Sequence, residues 1–217
     1  MPQSTPDTAS GQTTNSAPPL AADLLLRAPW LLPFAGDVET IADGAVAIRD
    51  GQIIDIGNGR ELSERYQSAE LVVLQGHVLM PGLVNAHGHA AMTLLRGSAE
   101  DAPLQAWLTE QIWPLEGKWV DEQFCRDGIR IAMAEMIRAG ITCFADMYFF
   151  PEIGAREARN AGLRAQIAFP VIEFANAWCQ TSEEGFHKGL ALYDEYRNDT
   201  FIDIAFGPHA VYSVTDL

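Results

Sequence analysis

The sequence predicts an α/β protein: about half of a (β/α)8 TIM-type barrel, preceded by a small, β-sandwich-like unit. Three observations predict it. Beyond Pro81-Gly82, short apolar strands alternate with amphipathic helical stretches, the order of a parallel sheet with covering helices. Before Pro81 the apolar runs are instead β-type and flank Asp50-Gly51, a dipeptide suited to a tight hairpin turn. A complete eightfold barrel takes about 250 residues, and four strands are read between Gly82 and the end of this 217-residue chain. Half a barrel is therefore expected, and the chain ends at Leu217 just past Thr215-Asp216, a pair suited to starting a helix.

Residues 1–19 are rich in Ser, Thr, Pro, Gln and Ala, with almost nothing apolar to bury, and read as a disordered tail. Residues 20–80 form the small β domain, whose partner strands are expected from outside this chain. Ala45-Val46-Ala47-Ile48 and Gln52-Ile53-Ile54-Asp55-Ile56 are its hairpin strands, and Leu71–Leu74 and His77–Met80 add others. Residues 81–217 are the half-barrel. Leu83–His87 is its first strand. Asp121–Ala139 places Ile129, Ala132, Met133, Met136 and Ile137 on one helical face, between an N-cap at Asp121 and a stop at Gly140. Ile141–Met147, Leu163–Phe169 and Phe201–Phe206 read as strands, and Glu152–Asn160 and Glu183–Tyr196 as helices. No internal repeat of fixed period is found.

Lys and Arg number 14 against 29 Asp and Glu, a formal net charge of −15. A phosphate backbone needs a basic face, so nucleic acid is excluded as a partner, and anionic membrane surfaces are disfavoured for the same reason. No apolar run approaches the ~18 residues of a membrane span, and the first Lys or Arg is Arg27, so a basic signal-peptide start is missing. Three widely spaced cysteines, Cys125, Cys143 and Cys179, fit neither a disulfide framework nor a closed zinc site and read as small core residues. The expected compartment is the cytoplasm.

Residues two apart on a strand point to one side, so His87 and His89 would present two imidazoles together at the C-terminal end of the first barrel strand, where barrel active sites lie. Two neutral imidazoles suit a divalent transition metal; the plainer alternative is a pair of turn histidines. Asp146 ends the second strand, either lining the pocket or capping and supporting a neighbour. Trp113 either packs on a substrate or is core. His187 reads as a solvated helix residue and His77 as part of the small β unit.

The run Pro81-Gly82-Leu83-Val84-Asn85-Ala86-His87-Gly88-His89 resembles the amidohydrolase superfamily, whose barrel opens with P-G-[LF]-[VI]-[ND]-x-H-x-H after a small β domain. The continuation Ala90–Gly97, Leu104–Leu108 and Ile112-Trp113-Pro114-Leu115-Glu116 resembles its 5-methylthioadenosine/S-adenosylhomocysteine deaminases and their triazine-hydrolase relatives. The resemblance implies that His87 and His89 are the first two ligands of one zinc ion per subunit, or alternatively iron. It implies that Glu116 binds the ribose hydroxyls of a purine nucleoside. His209, in Gly207-Pro208-His209-Ala210-Val211-Tyr212, matches a G-P-H-x-x-Y-[ST] element that sets an imidazole over the substrate. The implied reaction is hydrolytic deamination of 5′-methylthioadenosine, S-adenosylhomocysteine or adenosine, with release of ammonia, in a homo-oligomer. A triazine or other heterocycle hydrolase, or a non-catalytic half-barrel, is the alternative. The remaining ligands and the proton-transferring Glu of the family lie on later strands, so no complete catalytic set is expected here and the chain alone is expected to be poorly active. Gly88 departs from the threonine common between the two histidines.

Overall fold

The computed structural model describes residues 18–37, 39–99 and 101–214. Residues 1–17 of the expected tail, and the Thr215-Asp216 pair, lie outside the described residues. The chain divides between Pro81 and Gly82 into two compact units.

In the first unit, β1 (Leu20–Leu31) runs through the centre of a sheet ordered β3-β2-β1-β4, with the short β5 also pairing to β1. Strands β2 (Ile41–Arg49) and β3 (Gln52–Asn58) are antiparallel. Their turn is the expected one: Asp50 and Gly51 have φ of 53° and 71°, the two positive values a type I′ hairpin requires. Strands β4 (Tyr66–Val73) and β5 (Val78–Leu79) lie parallel to β1. Between β3 and β4 is a helix that periodicity does not reveal, α1 (Gly59–Arg65), capped by the Asn58 side chain accepting from the backbone N–H groups of Arg60 and Glu61. Its one large apolar residue, Leu62, is buried with Ala22, Leu25, Ala45, Ala47 and Tyr66. Among the described residues this unit is thus one sheet with a helix, rather than a second sheet, over its small-residue face.

The second unit is a parallel sheet of four strands in the order β6-β7-β8-β9: β6 (Leu83–Asn85), β7 (Ile141–Met147), β8 (Arg164–Val171) and β9 (Ile202–Pro208). Helices α4 (Glu122–Arg138), α5 (Pro151–Ala161) and α6 (Ser182–Tyr196) match the expected stretches to within two residues. Asp121 caps α4 by accepting from the Phe124 N–H at 2.7 Å, and Gly140, φ 77°, ends it. Ile129, Ala132, Met133 and Met136 on α4 are buried with Phe144, Ile167 and Phe169 of the strands. Leu83 and Val84 on β6 and Phe206 on β9, the two sheet edges, are exposed. No described helix is long and apolar enough to cross a membrane.

Two features depart from the sequence reading. The first barrel strand ends at Asn85, not His87: the Asn85 side chain accepts from the His87 N–H at 3.4 Å, turning the chain out of the ladder. Residues 104–119, given no helix by periodicity, are helical. They comprise α2 (Leu104–Ala106), a π-helical segment (Trp107–Ile112) and α3 (Trp113–Trp119). Trp113 N–H donates to Leu108 O, five residues back, and the next residue is Pro114, whose ring would clash with an ordinary four-back carbonyl. The widened turn shifts the apolar period and hides the helix from a 3.6-residue count.

Candidate active site

The C-terminal ends of the four parallel strands carry the chemistry. After β6, the turn at Asn85 brings the His87 and His89 rings to 5.1 Å between centroids, edge to face. They meet through this turn and not through strand alternation. His89 Nδ1 lies 2.6 Å from Met147 O at the end of β7. A carbonyl only accepts, so Nδ1 carries the proton and Nε2 keeps its lone pair free for a metal. Gly88 O accepts from Met147 N–H at 3.1 Å, so Met147 holds both the backbone before His89 and the His89 ring. A Cβ at Gly88 would approach Ala145 O at 3.3 Å, a close but not prohibitive contact.

Asp146 sits beneath this loop, only 6% exposed, and accepts from the Ala90 N–H at 2.6 Å. It is absent from the walls of the neighbouring pocket and supports the backbone that presents His89. Burial pushes its carboxyl up to about 7, against the Ala90 and Met147 N–H groups and the charge of His87. Among the described residues no cluster of three or more His, Cys, Asp or Glu is placed to hold a metal. Two imidazoles so placed could serve as donors to a metal ion only with further donors to complete its coordination.

Beside His89 is a cavity of about 130 Å³ whose walls include Trp113, Glu116, Tyr148, Phe174 and His209. Trp113 and Phe174 lean on one another, 5.9 Å between centroids. Glu116 stands one turn beyond the π-helical segment, and its Oε1 accepts from the Tyr148 hydroxyl at 2.8 Å. Burial raises the Glu116 carboxyl above its ordinary value, while the Tyr148 hydrogen bond and then His89 pull it back. Burial also raises Tyr148, next to Glu116, so its hydroxyl remains a donor. One Glu116 oxygen is thus engaged, which leaves the other to accept from a ligand.

His209 directly succeeds β9, and its Nδ1 lies 2.8 Å from Ser213 Oγ. Burial, and then His89, hold its imidazole below the usual value, so it is neutral at pH 7. The pocket brings together His89, Trp113, Glu116 and His209; His87 lies outside its walls, exposed beside His89. His77 and His187 are exposed, and neither is among the residues that line this pocket. Cys125 and Cys179 are buried and Cys143 partly so. Burial pushes the Cys125 thiol up to about 12, which makes it inert. Sequence reasoning missed Tyr148, Ser213 and Phe174. Tyr148 had a signal, since it comes directly after the last residue of a barrel strand; Ser213 had one too, as the [ST] position of the element that begins at Gly207, whereas Phe174 lies on a loop and had none.

Residues 78–217 match the model of the amidohydrolase family. The chain belongs to that family. Among curated relatives it is 49% identical over 203 residues to 5-methylthioadenosine/S-adenosylhomocysteine deaminase of Saccharophagus degradans, covering 94% of this chain and 45% of that protein. It is 39% identical over 191 residues to the deaminase of the same name from Thermodesulfovibrio yellowstonii, covering 87% and 44%. This amidohydrolase chain thus spans under half the length of these relatives. A solved adenosine deaminase from Xanthomonas campestris, with bound zinc, superposes with a TM-score of 0.88 at 40% identity over 92% of this chain and 45% of that one. Atrazine chlorohydrolase from Arthrobacter aurescens, complexed with zinc, superposes with a TM-score of 0.77 at 19% identity, covering 88% and 48%. That second likeness shows the fold alone: an amidohydrolase barrel, of which four strands are present here.

Proposed function

We propose that this chain carries the first two metal ligands and the nucleoside grip of a deaminase that converts an adenine nucleoside and water to the inosine-type product and ammonia. The observation that carries the proposal is Glu116: a half-buried carboxylate held at one oxygen by Tyr148, in an aromatic pocket shared with His89 and His209. A carboxylate so placed accepts from vicinal hydroxyls, and the Trp113–Phe174 pair offers an apolar face to a purine. The deaminase names of the relatives support the same reading.

The two imidazoles fit a zinc or iron ion: His89 has its Nδ1 proton committed to Met147 O, and His87 stands beside it. Such an ion, one per subunit, would be held by His87 and His89 with donors beyond these two, and would supply a water acidified to a pKa of about 7. The chain's own residues bind and orient. Glu116 fixes the ribose, neutral His209, its Nδ1 turned to Ser213, offers its Nε2 to the base, and the aromatic walls exclude bulk water. Deamination breaks the C6–N bond and forms a C6–O bond, with the departing amine protonated to ammonia. Asp146 is committed to the Ala90 N–H and Glu116 to Tyr148 and the ribose, so neither is assigned the delivery of that proton.

The test is a titration of the chain with 5′-methylthioadenosine and with free adenine, read by tryptophan fluorescence. Glu116→Ala should weaken the nucleoside by about tenfold or more, the scale of a lost hydrogen bond to a charged group, and leave adenine unaffected. Equal loss for both ligands would contradict the ribose role and favour a hydrolase of free heterocycles.

A further inference from the structure

The helix layer of the second unit holds a cluster that the proposed deamination does not use. Arg126 and Arg130 of α4 and Arg156 of α5 converge on Glu157 of α5, whose side chain is 6% exposed. We propose that these three arginines form a binding site for a small phosphate-class dianion, seated between α4 and α5.

The cluster is unbalanced, with three positive charges facing one negative. Elsewhere among the described residues ion pairs are matched one to one. Arg27 grips Asp43 through two hydrogen bonds, at 2.8 and 2.7 Å, and Arg96 grips Glu135 at 3.0 and 2.7 Å. At Glu157 only Arg130 is within hydrogen-bond reach, its Nε donating at 2.8 Å. The Nε atoms of Arg126 and Arg156 stand at 3.7 and 3.6 Å, attracted but not bonded. Arg126 donates instead from Nη1 to Gln123 Oε1 at 2.8 Å, and Arg156 has no hydrogen-bond acceptor among the described residues.

The carboxylates that could restore the balance are engaged elsewhere or apart. Both oxygens of Asp127 accept from the Gln123 amide at 2.9 Å, and Glu152 accepts from the Trp178 indole at 3.0 Å. Glu122, one turn before Arg126, forms no ion pair with it among the described residues. Glu157 is thus a fixed centre that gathers guanidiniums it only partly satisfies. Arg130 and Arg156 are exposed, so an ion from solvent can reach them. A guanidinium presents its N–H donors as a fork that fits two oxygens of a phosphate. A bound dianion would cancel the local excess of positive charge and join α4 to α5. The size of the ligand follows from the wider charge: a chain at −15 repels an extended polyanion, whereas a single phosphate meets chiefly the local excess.

The test is a titration of the chain with inorganic phosphate at constant ionic strength, followed on the arginine Nε–H signals by two-dimensional NMR. The signals of Arg126, Arg130 and Arg156 should shift together and saturate, while that of Arg138, exposed at the end of α4, stays fixed. Arg130→Gln and Arg156→Gln should each weaken phosphate by about tenfold or more, the scale of a lost hydrogen bond to a charged group. Arg138→Gln should leave the affinity unchanged. Both replaced side chains in the cluster are exposed, and cooperative thermal unfolding of each variant checks that its fold is kept. Glycerol phosphate run alongside separates the sources: tighter binding of the ester assigns the site to a phosphorylated molecule, and tighter binding of the ion assigns it to free phosphate. Shifts that do not saturate, or an affinity that neither cluster substitution moves, would overturn the proposal. So would binding that appears only when zinc is added, because that places the phosphate at the histidine pair.

Discussion

At the N-terminal ends of β7, β8 and β9 the chain enters the sheet through short turns that satisfy themselves. Gly140 and Gly162 take φ of 77° and 72° to end the preceding helices, and Asp199 accepts from the N–H groups of Phe201 and Ile202 at 2.7 and 3.1 Å. At the opposite ends the backbone leaves through longer segments held by distant partners. His89 is fixed by Met147 O and Glu116 by Tyr148, and the aromatic residue Phe150 is forced to a φ of 55° just past the pocket wall. The difference teaches where each kind of change should be felt: one end sets stability by local geometry, the other sets chemistry by long-range contacts.

The comparison is broken most severely from between the two ends. Phe144, mid-way along β7 and 0% exposed, should cost about 3–5 kcal/mol of stability as Phe144→Ala, with zinc binding and cooperative thermal unfolding lost together. Next, His89→Ala should weaken zinc by more than about tenfold, the lower end of what losing only a ligand's hydrogen-bond partner costs, in competition with a chromophoric chelator, with a melting temperature within a few degrees of the unaltered chain. Gly162→Val should do the reverse: a side chain forced into the left-handed region should destabilise by about 1–2 kcal/mol in urea, with zinc affinity unchanged.

The smallest effects sharpen the contrast through pH. At the N-terminal end, the backbone N–H of Phe201 holds Asp199 below its ordinary value of 3.8, helped by Ile202 and Arg159. Its stabilisation is present above that value and is lost as pH falls through the lower folded one. At the C-terminal end, burial raises Glu152, near Trp178, above its ordinary 4.5 despite the indole N–H donating to it at 3.0 Å. The folded chain there keeps a proton the unfolded chain gives up, so stability falls as pH rises from 4.5 through the raised folded value, then levels. Asp199→Asn should flatten the acid limb of a stability–pH profile, and Glu152→Gln the limb just above it. Equal flattening by both in one limb would contradict the assignment.

What was legible in the sequence was what local residues enforce. Asp50-Gly51 specified its turn, Asp121 and Gly140 bounded α4, and the run from Pro81 to His89 carried the family resemblance. What was not legible depended on contacts far along the chain or on broken periodicity. The two histidines do lie together, but strand alternation was the wrong reason, because Asn85 turns the chain before they are reached. The helix through Trp113 and Glu116 was hidden by Pro114 and its five-back hydrogen bond. The Tyr148–Glu116 bond spans 32 residues and the His89–Met147 bond 58, and nothing at either end announces the partner. Of two readings left open for Asp146, pocket wall or backbone support, the geometry matches support, through Ala90.

The central claim is that the turn after β6 presents a metal-binding pair at the edge of the pocket, with His89 in its wall and His87 beside it. It is tested most directly by tracking the five histidine ring signals in a two-dimensional NMR titration with zinc. The account predicts that His87 and His89 shift first and together, while His77 and His187 stay fixed. Zinc that moves His77 or His187 first, or moves none of the five, would contradict it.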